Sequence, residues 1–576
     1  MPWRVAVLFL IIGSLAGCGG GASGGSADSS PFSEGGSSGT GVTATTIETT
    51  VAKGTINGFG GLSTGGIDYN IDAATISFNG QPGSADQLET GMVVEVDAEV
   101  DAATGTGTAE NIVFDYNLVG VIDEINPAGK TVIALGQKVQ FDEITTFKNT
   151  LSGDLSVGDV ILVSGFTDVN ERILASYIEK SVTGFPDAIF EGVLTQLETS
   201  SKTFVIGEQL VDYSGAQLLS IPNNILQSGF SVRITGSETA LMPGSPDTVV
   251  LATSVEGVAE GLSGNPGENI RVEGLISRVF EPLEFRLDGN TVVANSSTQY
   301  ANGVAEEIVV NARVFVEGTI DAAGVINAEN IRFTLPTDVV IEAEVDAINV
   351  ADNTLSVLGR TVAVDAFTIL KDGSSANIQR FSLSDIVIGD RLKITGRDDG
   401  LNIDAARIDR VDVIANNAQI ILEGVVGASV SNPRFSVAGL IIDTSTLQDL
   451  SGFSQGGVTP VTRSTFFASL QPEMVVRILG RFLAGELAPS RVEIVQCCNW
   501  EVYLGIPGAF IGGGNDVVFT WDGTLNTDIL SGNVNATLST NATVLGLPSA
   551  IEEVRIFAPG AYVFDTGLDP TLSTNF

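Results

Sequence analysis

Short runs in which apolar and polar residues alternate fill most of the chain between residues 50 and 500. Val132 to Gly136, Lys138 to Asp142 and Thr361 to Asp365 are examples, and such runs are separated by Gly, Asn and Asp. A period of two puts every second side chain on the same face, which is typical of a half-buried β-strand. The pattern predicts an all-β protein made of many short strands.

Four marks recur in the same order six times along the chain. The first is a strand that opens on a small residue, and the second is an alternating strand that runs into a glycine. The third is a turn followed by a strand, clearest in Leu155 to Gly165 and in Ile386 to Gly396. The fourth is Ala-x-x-Ile or Ala-x-x-Val, which begins at Ala109, Ala175, Ala252, Ala328 and Ala405 and, in a degenerate form, at Pro489.

Internal repetition of this kind indicates tandem domains. Each unit has three strands, an insertion that we expect to hold a loop or a short helix, and two further strands. That order predicts a small five-stranded barrel of the OB-like type, with an SH3-like barrel as the alternative. We expect six barrels, each leaning on its neighbour in the chain because a unit of this size is marginally stable alone. The predicted boundaries are 51–117, 118–182, 188–258, 269–335, 339–412 and 419–496.

The repeats resemble an uncharacterised family of small β-barrel domains that occur in tandem in bacterial lipoproteins. The Gly-x-Ile opening, the Leu-x-x-Gly-Asp segment and the Ala-x-x-Ile ending carry this resemblance over residues 54–496. Repeats 2 and 5 match it best. Repeats 1, 4 and 6 depart from it most, and in repeats 4 and 6 Ala312 and Glu473 stand where we expect the turn glycine. The resemblance implies a barrel fold but no activity.

The first 18 residues have the pattern of a signal peptide, with Arg4 before an apolar stretch too short to span a membrane. Their ending, Leu15-Ala16-Gly17-Cys18, resembles a bacterial lipobox, which implies cleavage before Cys18 and lipidation of that residue. Residues 19–50 are rich in Gly, Ser and Thr and predict a flexible tether. Gly19 replaces the Asp that usually signals inner-membrane retention, so we expect an outer-membrane anchor, on either face.

Residues 497–576 break the repeat. We expect strands at 516–521, 532–538 and 553–557, and the stretch from Phe557 to Asp565 resembles a segment of uncharacterised exported β modules. Together these features predict a β-sandwich-like cap. Cys497 and Cys498 are adjacent, so their Cα atoms lie about 3.8 Å apart, closer than most disulfides allow. The pair forms either a strained vicinal disulfide or two free thiols.

The charge balance narrows the range of functions. The chain has 28 basic and 69 acidic residues, a net charge of −41, and no histidine. Proteins gain affinity for nucleic acid when their basic residues release counterions from its phosphates. A polyanion lacks this gain, so we expect no nucleic-acid partner. The lack of histidine excludes Ser-His-Asp and Cys-His catalysis and histidine metal ligands. We therefore expect no cofactor.

Two groups of residues are candidate sites. Asp68, Asn70 and Asp72 resemble the start of a calcium loop, but the alternation with Tyr69 favours a strand. The longest insertion, in repeat 6, carries an aromatic and arginine set that either binds a sugar or partner protein or caps the barrel's own core: Phe453, Arg463, Phe466 and Phe467.

The sequence thus predicts a lipid-anchored envelope protein that displays tandem barrels as a structural, adhesive or binding module, without catalysis. Its partners would be the membrane, through the lipid, and an envelope protein or a glycan. The alternatives are an oligosaccharide- or peptide-binding lipoprotein and, less favoured, a carboxylate-dependent glycoside hydrolase.

Overall fold

The computed structural model of the 576-residue chain describes most of the region between residues 47 and 567. The described residues are 47–58, 61–101, 104–127, 129–182, 187–240, 248–258, 261–262, 264–281, 283–412, 419–456, 459–472, 474–483, 486–495, 500–505, 517–521, 553–558 and 561–567.

Repeats 1 and 2 consist of strands joined by tight turns. The strands of repeat 1 are β1 (Ile47–Gly58), β2 (Leu62–Thr64), β3 (Ile67–Asn70), β4 (Thr75–Phe78), β5 (Gln81–Pro82), β6 (Val93–Asp101) and β7 (Thr106–Phe114). Those of repeat 2 are β8 (Leu118–Asn126), β9 (Thr131–Ala134), β10 (Gln137–Gln140), β11 (Thr146–Lys148), β12 (Val160–Thr167) and β13 (Ile173–Lys180).

Repeats 3 and 4 have the same order of elements. The strands of repeat 3 are β14 (Ala188–Val193), β15 (Thr195–Glu198), β16 (Thr203–Ile206), β17 (Gln209–Asp212), β18 (Gln217–Leu219), β19 (Ser231–Ala240) and β20 (Thr248–Gly257). Those of repeat 4 are β21 (Asn269–Glu281), β22 (Glu284–Leu287), β23 (Asn290–Val293), β24 (Gln299–Ala301), β25 (Arg313–Ile320) and β26 (Val325–Phe333).

Repeats 5 and 6 complete the series, and repeat 6 adds an α-helix. The strands of repeat 5 are β27 (Val339–Asn349), β28 (Thr354–Val357), β29 (Arg360–Ala363), β30 (Ile369–Asp372), β31 (Arg391–Asp398) and β32 (Ile403–Val411). The elements of repeat 6 are β33 (Ile420–Val425), β34 (Arg434–Val437), β35 (Leu440–Asp443), β36 (Phe453–Gln455), β37 (Thr459–Pro460), α1 (Arg463–Ser469), β38 (Val475–Leu483) and β39 (Glu486–Ile494).

Residues after the repeats form a separate four-stranded antiparallel sheet. Its strands are β40 (Trp500–Gly505), β41 (Val517–Trp521), β42 (Glu553–Ala558) and β43 (Ala561–Gly567). The strands expected near 516–521 and 553–557 are therefore confirmed, whereas the one expected at 532–538 lies outside the described residues.

The all-β prediction is confirmed, and so is the insertion with a short helix. Repeats 1 to 5 each carry a one-turn 3-10 helix in the insertion, and repeat 6 carries α1 instead. The helices are Ala85–Gln87, Ser152–Asp154, Pro222–Asn224, Ala305–Glu307 and Leu383–Asp385, and repeat 5 has a further one at Val350–Asp352. No helix in the described part of the chain has both the length and the apolar character to cross a membrane.

Strand pairing in repeat 4 shows how one unit is organised. β21 pairs with β22, β22 with β23, and β23 runs parallel to β26. β26 pairs with β25, and β25 returns to β21, so the pairings run in a cycle. Repeats 1, 2 and 5 have the same cycle. In repeat 3, β14 and β15 together take the place of β21, and in repeat 6 the β34–β35 hairpin meets its neighbours only at an isolated bridge, Val426 to Val437.

Alternating burial along these strands produces a core inside each repeat. β27, for example, alternates between buried and exposed residues over its first half, as its sequence VVIEAEV predicts. Repeats 1 to 4 have one apolar cluster each, and repeats 5 and 6 share one. Three residues cross between units: Val51 lies in the core of repeat 4, Tyr177 in that of repeat 1 and Leu135 in that of repeat 3.

The expectation that each repeat leans on its neighbour in the chain is confirmed for two pairs of repeats. β8 pairs with β14 and β27 with β33, which joins repeats 2 and 3 and repeats 5 and 6. Repeat 1, however, pairs with repeat 4: Thr50 to Lys53 of β1 run parallel to Asn269 to Val272 of β21. The outer edge of the first strand of a repeat can pair with any strand of matching register. The order of the repeats along the chain therefore does not determine which strand pairs with it.

Candidate functional site

The fourth sequence mark is a β-bulge. In repeat 4, Glu317 pairs with Asn330 and Gly318 pairs with Ala328, so Glu329 is an extra residue without a partner. Ala328 and Ile331 are three residues apart, and an unbroken strand would put them on opposite faces. The bulge turns both of them inward, where they are 2% and 1% exposed.

Every repeat has this register shift at the same place. It lies between Asp97 and Ala98, Ser164 and Gly165, Thr235 and Gly236, Glu317 and Gly318, Thr395 and Gly396, and Leu479 and Gly480. A Cβ on Gly318 would lie 2.1 Å from the carbonyl oxygen of Asn327 and 3.0 Å from the Cα of Ala328. The recurring alanine therefore lies where two strands approach closely.

A threonine that the sequence analysis missed closes the bulge. The hydroxyl groups of Thr145, Thr298 and Thr368 donate hydrogen bonds of 2.8, 2.8 and 2.7 Å to the carbonyl oxygens of the bulge alanines, Ala175, Ala328 and Ala405. Each threonine follows an Asp or Asn by three residues, and that residue's backbone amide donates to the threonine hydroxyl. The recurring Asp/Asn-x-x-Thr spacing is visible in the sequence and could have identified this contact.

The bulge also makes two consecutive side chains point away from the core of the repeat. We call these two residues the bulge pair: Glu110–Asn111, Ser176–Tyr177, Thr253–Ser254, Glu329–Asn330, Ala406–Arg407 and Ser490–Arg491. Their identities vary while the flanking Ala and Ile or Val positions recur. Variable side chains at a fixed place in a repeated fold are typical of a contact surface.

In two repeats the bulge pair contacts another repeat. Tyr177 packs into the core of repeat 1, and burial raises the pKa of its hydroxyl, which donates to Glu179. Arg407 of repeat 5 donates from Nη1 to the hydroxyl of Thr146 at 2.7 Å and to the carbonyl of Ile144 at 3.0 Å, both in repeat 2. The bulge pair is thus a recognition element within the molecule.

In repeat 4 the bulge pair lines a polar groove of about 490 Å³ instead. All of its lining residues belong to repeat 4, and the polar ones include Asn295, Ser297, Gln299, Asn327, Glu329 and Asn330. The side-chain oxygen of Asn295 accepts from the Ser297 amide at 2.8 Å, and the Gln299 amide donates to the Ser297 carbonyl at 3.0 Å. Within the described residues, Asn327 and Glu329 have no side-chain partner.

Basic side chains bridge repeats 1 and 4 beside the paired strands. Lys53 forms an ion pair of 2.8 Å with Asp288, and Arg313 bonds both Glu273 and the hydroxyl of Thr55. Burial lowers the pKa of Lys53, but Asp288, Glu95 and Glu191 together outweigh this effect, and the pKa lies above its usual value. Burial raises the pKa of Glu95 nearby, which Lys53 only partly offsets.

Arginine and phenylalanine side chains connect repeat 4 to repeats 2 and 5. Arg313 lies over the ring of Phe166 at 4.7 Å, and Arg332 lies over Phe367 at 4.6 Å while also pairing with Asp365. The rings of Phe315 and Phe367 meet edge to face at 5.1 Å. These cation–π and aromatic contacts are partly shielded from water, where such contacts are strongest.

The three candidate calcium ligands, Asp68, Asn70 and Asp72, each contact a different residue. Asp68 accepts from the hydroxyl of Ser63, Asn70 accepts from the backbone amide of Asp72 at 2.9 Å, and Asp72 lies 3.9 Å from Arg380. Asp68 and Asn70 alternate with the buried Tyr69 on β3, as the strand interpretation predicts. In the described residues no three His, Cys, Asp or Glu side chains are grouped as metal ligands.

The aromatic set of repeat 6 lies in the core. Phe453 and Phe466 are 0% exposed, with ring centroids 5.3 Å apart, and Phe467 packs on the same cluster. Arg463 lies over Phe453 at 5.5 Å and donates to the backbone carbonyls of Thr444, Ser445 and Leu447. The structure therefore agrees with the second interpretation, in which these residues cap the repeat's own core.

The recurring Gly-Asp pair is a turn, as its local chemistry predicts. Gly158 and Gly389 both have a φ of 91°, and Asp159 and Asp390 each accept from a backbone amide three residues earlier at 3.0 Å. The assignment of Ala312 to the glycine position is wrong. Asn311 occupies the turn position, with a φ of 66°, because asparagine tolerates the left-handed region of backbone conformation better than most residues. Glu473 lies outside the described residues, as do Cys18, Cys497 and Cys498.

Four segments of the chain match the family described as Domain of unknown function (DUF5666): residues 49–113, 119–179, 273–332 and 342–409. The domain is therefore repeated four times, in repeats 1, 2, 4 and 5. No curated protein matches the chain.

Proposed function

We propose that this array of DUF5666 domains is a lipid-anchored scaffold of the bacterial cell envelope, a structural and binding module that performs no catalysis. The observation that carries the proposal is the use of the scarce basic residues. The chain has 28 of them against 69 acidic residues, yet many reach across from one repeat to another. They include Lys53, Lys148, Arg233, Arg271, Arg313, Arg332, Lys393 and Arg407. Cross-linking of this kind is what a multi-domain scaffold needs.

We further propose that each repeat is a small OB-like barrel. The cyclic pairing supports this, because the order first, second, third, fifth, fourth and back to first, with a parallel third–fifth pair, is the OB arrangement. An SH3-like barrel lacks this parallel pair. Closure leaves few exposed strand edges, which suits a protein outside the cell.

The anchor is assigned to Cys18, with residues 19–50 as the tether to an outer-membrane surface. One acyl chain binds a membrane only marginally, but the three chains of a mature lipoprotein bind it stably. We expect the Cys18→Ser chain to be released from isolated envelopes by a salt wash, whereas the unaltered chain requires detergent. Ser14→Ala, close to the lipobox, is the matched control and stays anchored. A Cys18→Ser chain that still requires detergent would contradict the anchor.

The proposed absence of catalysis is tested by measuring the hydrolysis of polysaccharides. We expect the purified chain to release no reducing ends from a panel of neutral and acidic polysaccharides over a day. Release that disappears when a particular carboxylate is replaced by its amide would favour the glycoside hydrolase alternative instead.

A further inference from the structure

We propose that the polar groove on repeat 4 binds a neutral oligosaccharide. The inference deepens the proposed function, since it names a ligand class for one surface of the scaffold. The groove lies between the insertion of repeat 4, which supplies Asn295, Ser297 and Gln299, and β26, which carries the bulge pair Glu329–Asn330. Its volume of about 490 Å³ falls within the range of ligand sites in proteins, roughly 300–1,000 Å³.

The lining determines the chemistry of the ligand. Any molecule that covers Asn327 and Glu329 removes water from an amide and a carboxylate, which costs free energy unless the ligand supplies hydrogen bonds in return. The amide nitrogen of Asn295 and the amide oxygen of Gln299 also face no protein partner in the described residues. A sugar offers many hydroxyl groups, and each both donates and accepts. An apolar ligand offers none.

Charge argues against an anion and against a divalent cation. Glu329 is in the groove, and the chain carries a net charge of −41, so an anion is repelled. A divalent cation needs several oxygen ligands, usually including more than one free carboxylate. The neighbouring Glu317 is already paired with Arg271 and accepts from Asn330 at 3.1 Å, so Glu329 is the one carboxylate of the groove lining.

The strand pairing argues against a peptide. Extended peptides commonly bind by adding a strand to a free sheet edge. β26 pairs with β25 along one edge and with β23 and β24 along the other. In the gap between β23 and β24, the carbonyl of Ala328 already accepts from Thr298 at 2.8 Å. The groove therefore presents side chains rather than a backbone edge.

Equivalent positions elsewhere in the molecule support a recognition role. Tyr177 and Arg407, the second members of their bulge pairs, contact repeats 1 and 2. Asn330 is the second member in repeat 4, and its groove is lined by repeat 4 alone. The same element that binds a neighbouring repeat in repeats 2 and 5 is thus available to a ligand from outside the chain in repeat 4.

Calorimetric titration of the detergent-solubilised full chain tests the proposal. The probes are neutral hexasaccharides: cellohexaose, maltohexaose, xylohexaose and chitohexaose. We expect at least one of them to bind with a stoichiometry of one per chain. The Asn327→Ala/Glu329→Ala chain should bind that sugar at least about tenfold more weakly, because it loses both side-chain partners.

The matched control is Thr108→Ala/Glu110→Ala, which alters the same positions of repeat 1, both also exposed. It should bind as the unaltered chain does, and all three chains should melt alike. The proposal is overturned if no hexasaccharide binds, if the repeat 4 variant binds unchanged, or if the control weakens equally. Binding in detergent does not depend on Cys18, so failure here is distinguishable from failure of the anchor.

Discussion

One hydroxyl group closes the bulge in each of repeats 2, 4 and 5. Thr145, Thr298 and Thr368 are 4%, 6% and 3% exposed, and each donates to the carbonyl of its bulge alanine. A buried polar group without a partner costs more than a hydrogen bond gains, so these contacts stabilise the bulge chiefly by avoiding that cost.

We predict that Thr368→Val lowers the stability of repeat 5 by about 1–3 kcal/mol, because valine keeps the shape but leaves the carbonyl of Ala405 unsatisfied. Thermal unfolding of the full chain measures the loss. Hydrogen exchange of the backbone amides of β32 shows whether the loss lies in repeat 5. Thr361→Val on the exposed side of β29 is the control and should have little effect. An equal loss in both variants would show that the hydroxyl of Thr368 contributes nothing specific.

At the scale of the element, the opening strand of each repeat has two roles. β1 pairs with β2 and β6 inside its own repeat, and its first half also pairs with β21 of repeat 4. Val51 points across this joint into the core of repeat 4. A strand that is shared in this way couples the stability of two repeats that are distant in the sequence.

We predict an energetic coupling of about 0.5–1 kcal/mol between Lys53 and Asp288, measured by a double-mutant cycle with Lys53→Met and Asp288→Asn. The pair is only partly exposed, at 31% and 26%, so solvent screens it incompletely. Arg434 and Asp443, a more exposed pair within repeat 6, form the reference cycle and should couple less. Additive effects of Lys53→Met and Asp288→Asn would contradict the joint between repeats 1 and 4.

At the scale of the whole molecule, the acidic surplus opposes the contacts between repeats. With a net charge of −41, carboxylates must often neighbour one another, and their repulsion favours separation of the units. The partly buried bridges between repeats, such as Arg407 to Thr146 and Arg313 to Thr55, are shielded from salt, whereas the surface repulsion is not.

We therefore predict that the melting temperature rises between 0.01 M and 0.1 M NaCl, as the Debye length falls from about 30 Å to about 10 Å. Calorimetry at pH 7 measures the change. Sucrose, which adds no ions, serves as the control for general solute effects. A melting temperature that falls with salt would mean that the exposed ion pairs outweigh the repulsion.

Much of the local structure could be read from the sequence. The alternating runs, the turn glycines and the insertion of each repeat all correspond to elements of the structure, because strands and turns depend on side chains a few residues apart. The bulge was visible as well, since two inward residues spaced by three cannot share a face of an unbroken strand. Asn311 was not expected at this turn, because the pattern was defined by glycine alone, although asparagine also tolerates a left-handed backbone.

The sequence by itself determined the all-β class, the tandem repetition and the strong negative charge, because periodicity and composition are properties of the chain alone. Only the tertiary structure decided that repeat 1 pairs with repeat 4, that the aromatic set of repeat 6 lies in its core, and that the bulge pair of repeat 4 lines a groove. The first outcome depends on strands that meet across more than 200 residues of chain, and the register of a strand edge has no counterpart in local sequence. The other two depend on how the insertion of a repeat folds back onto its strands.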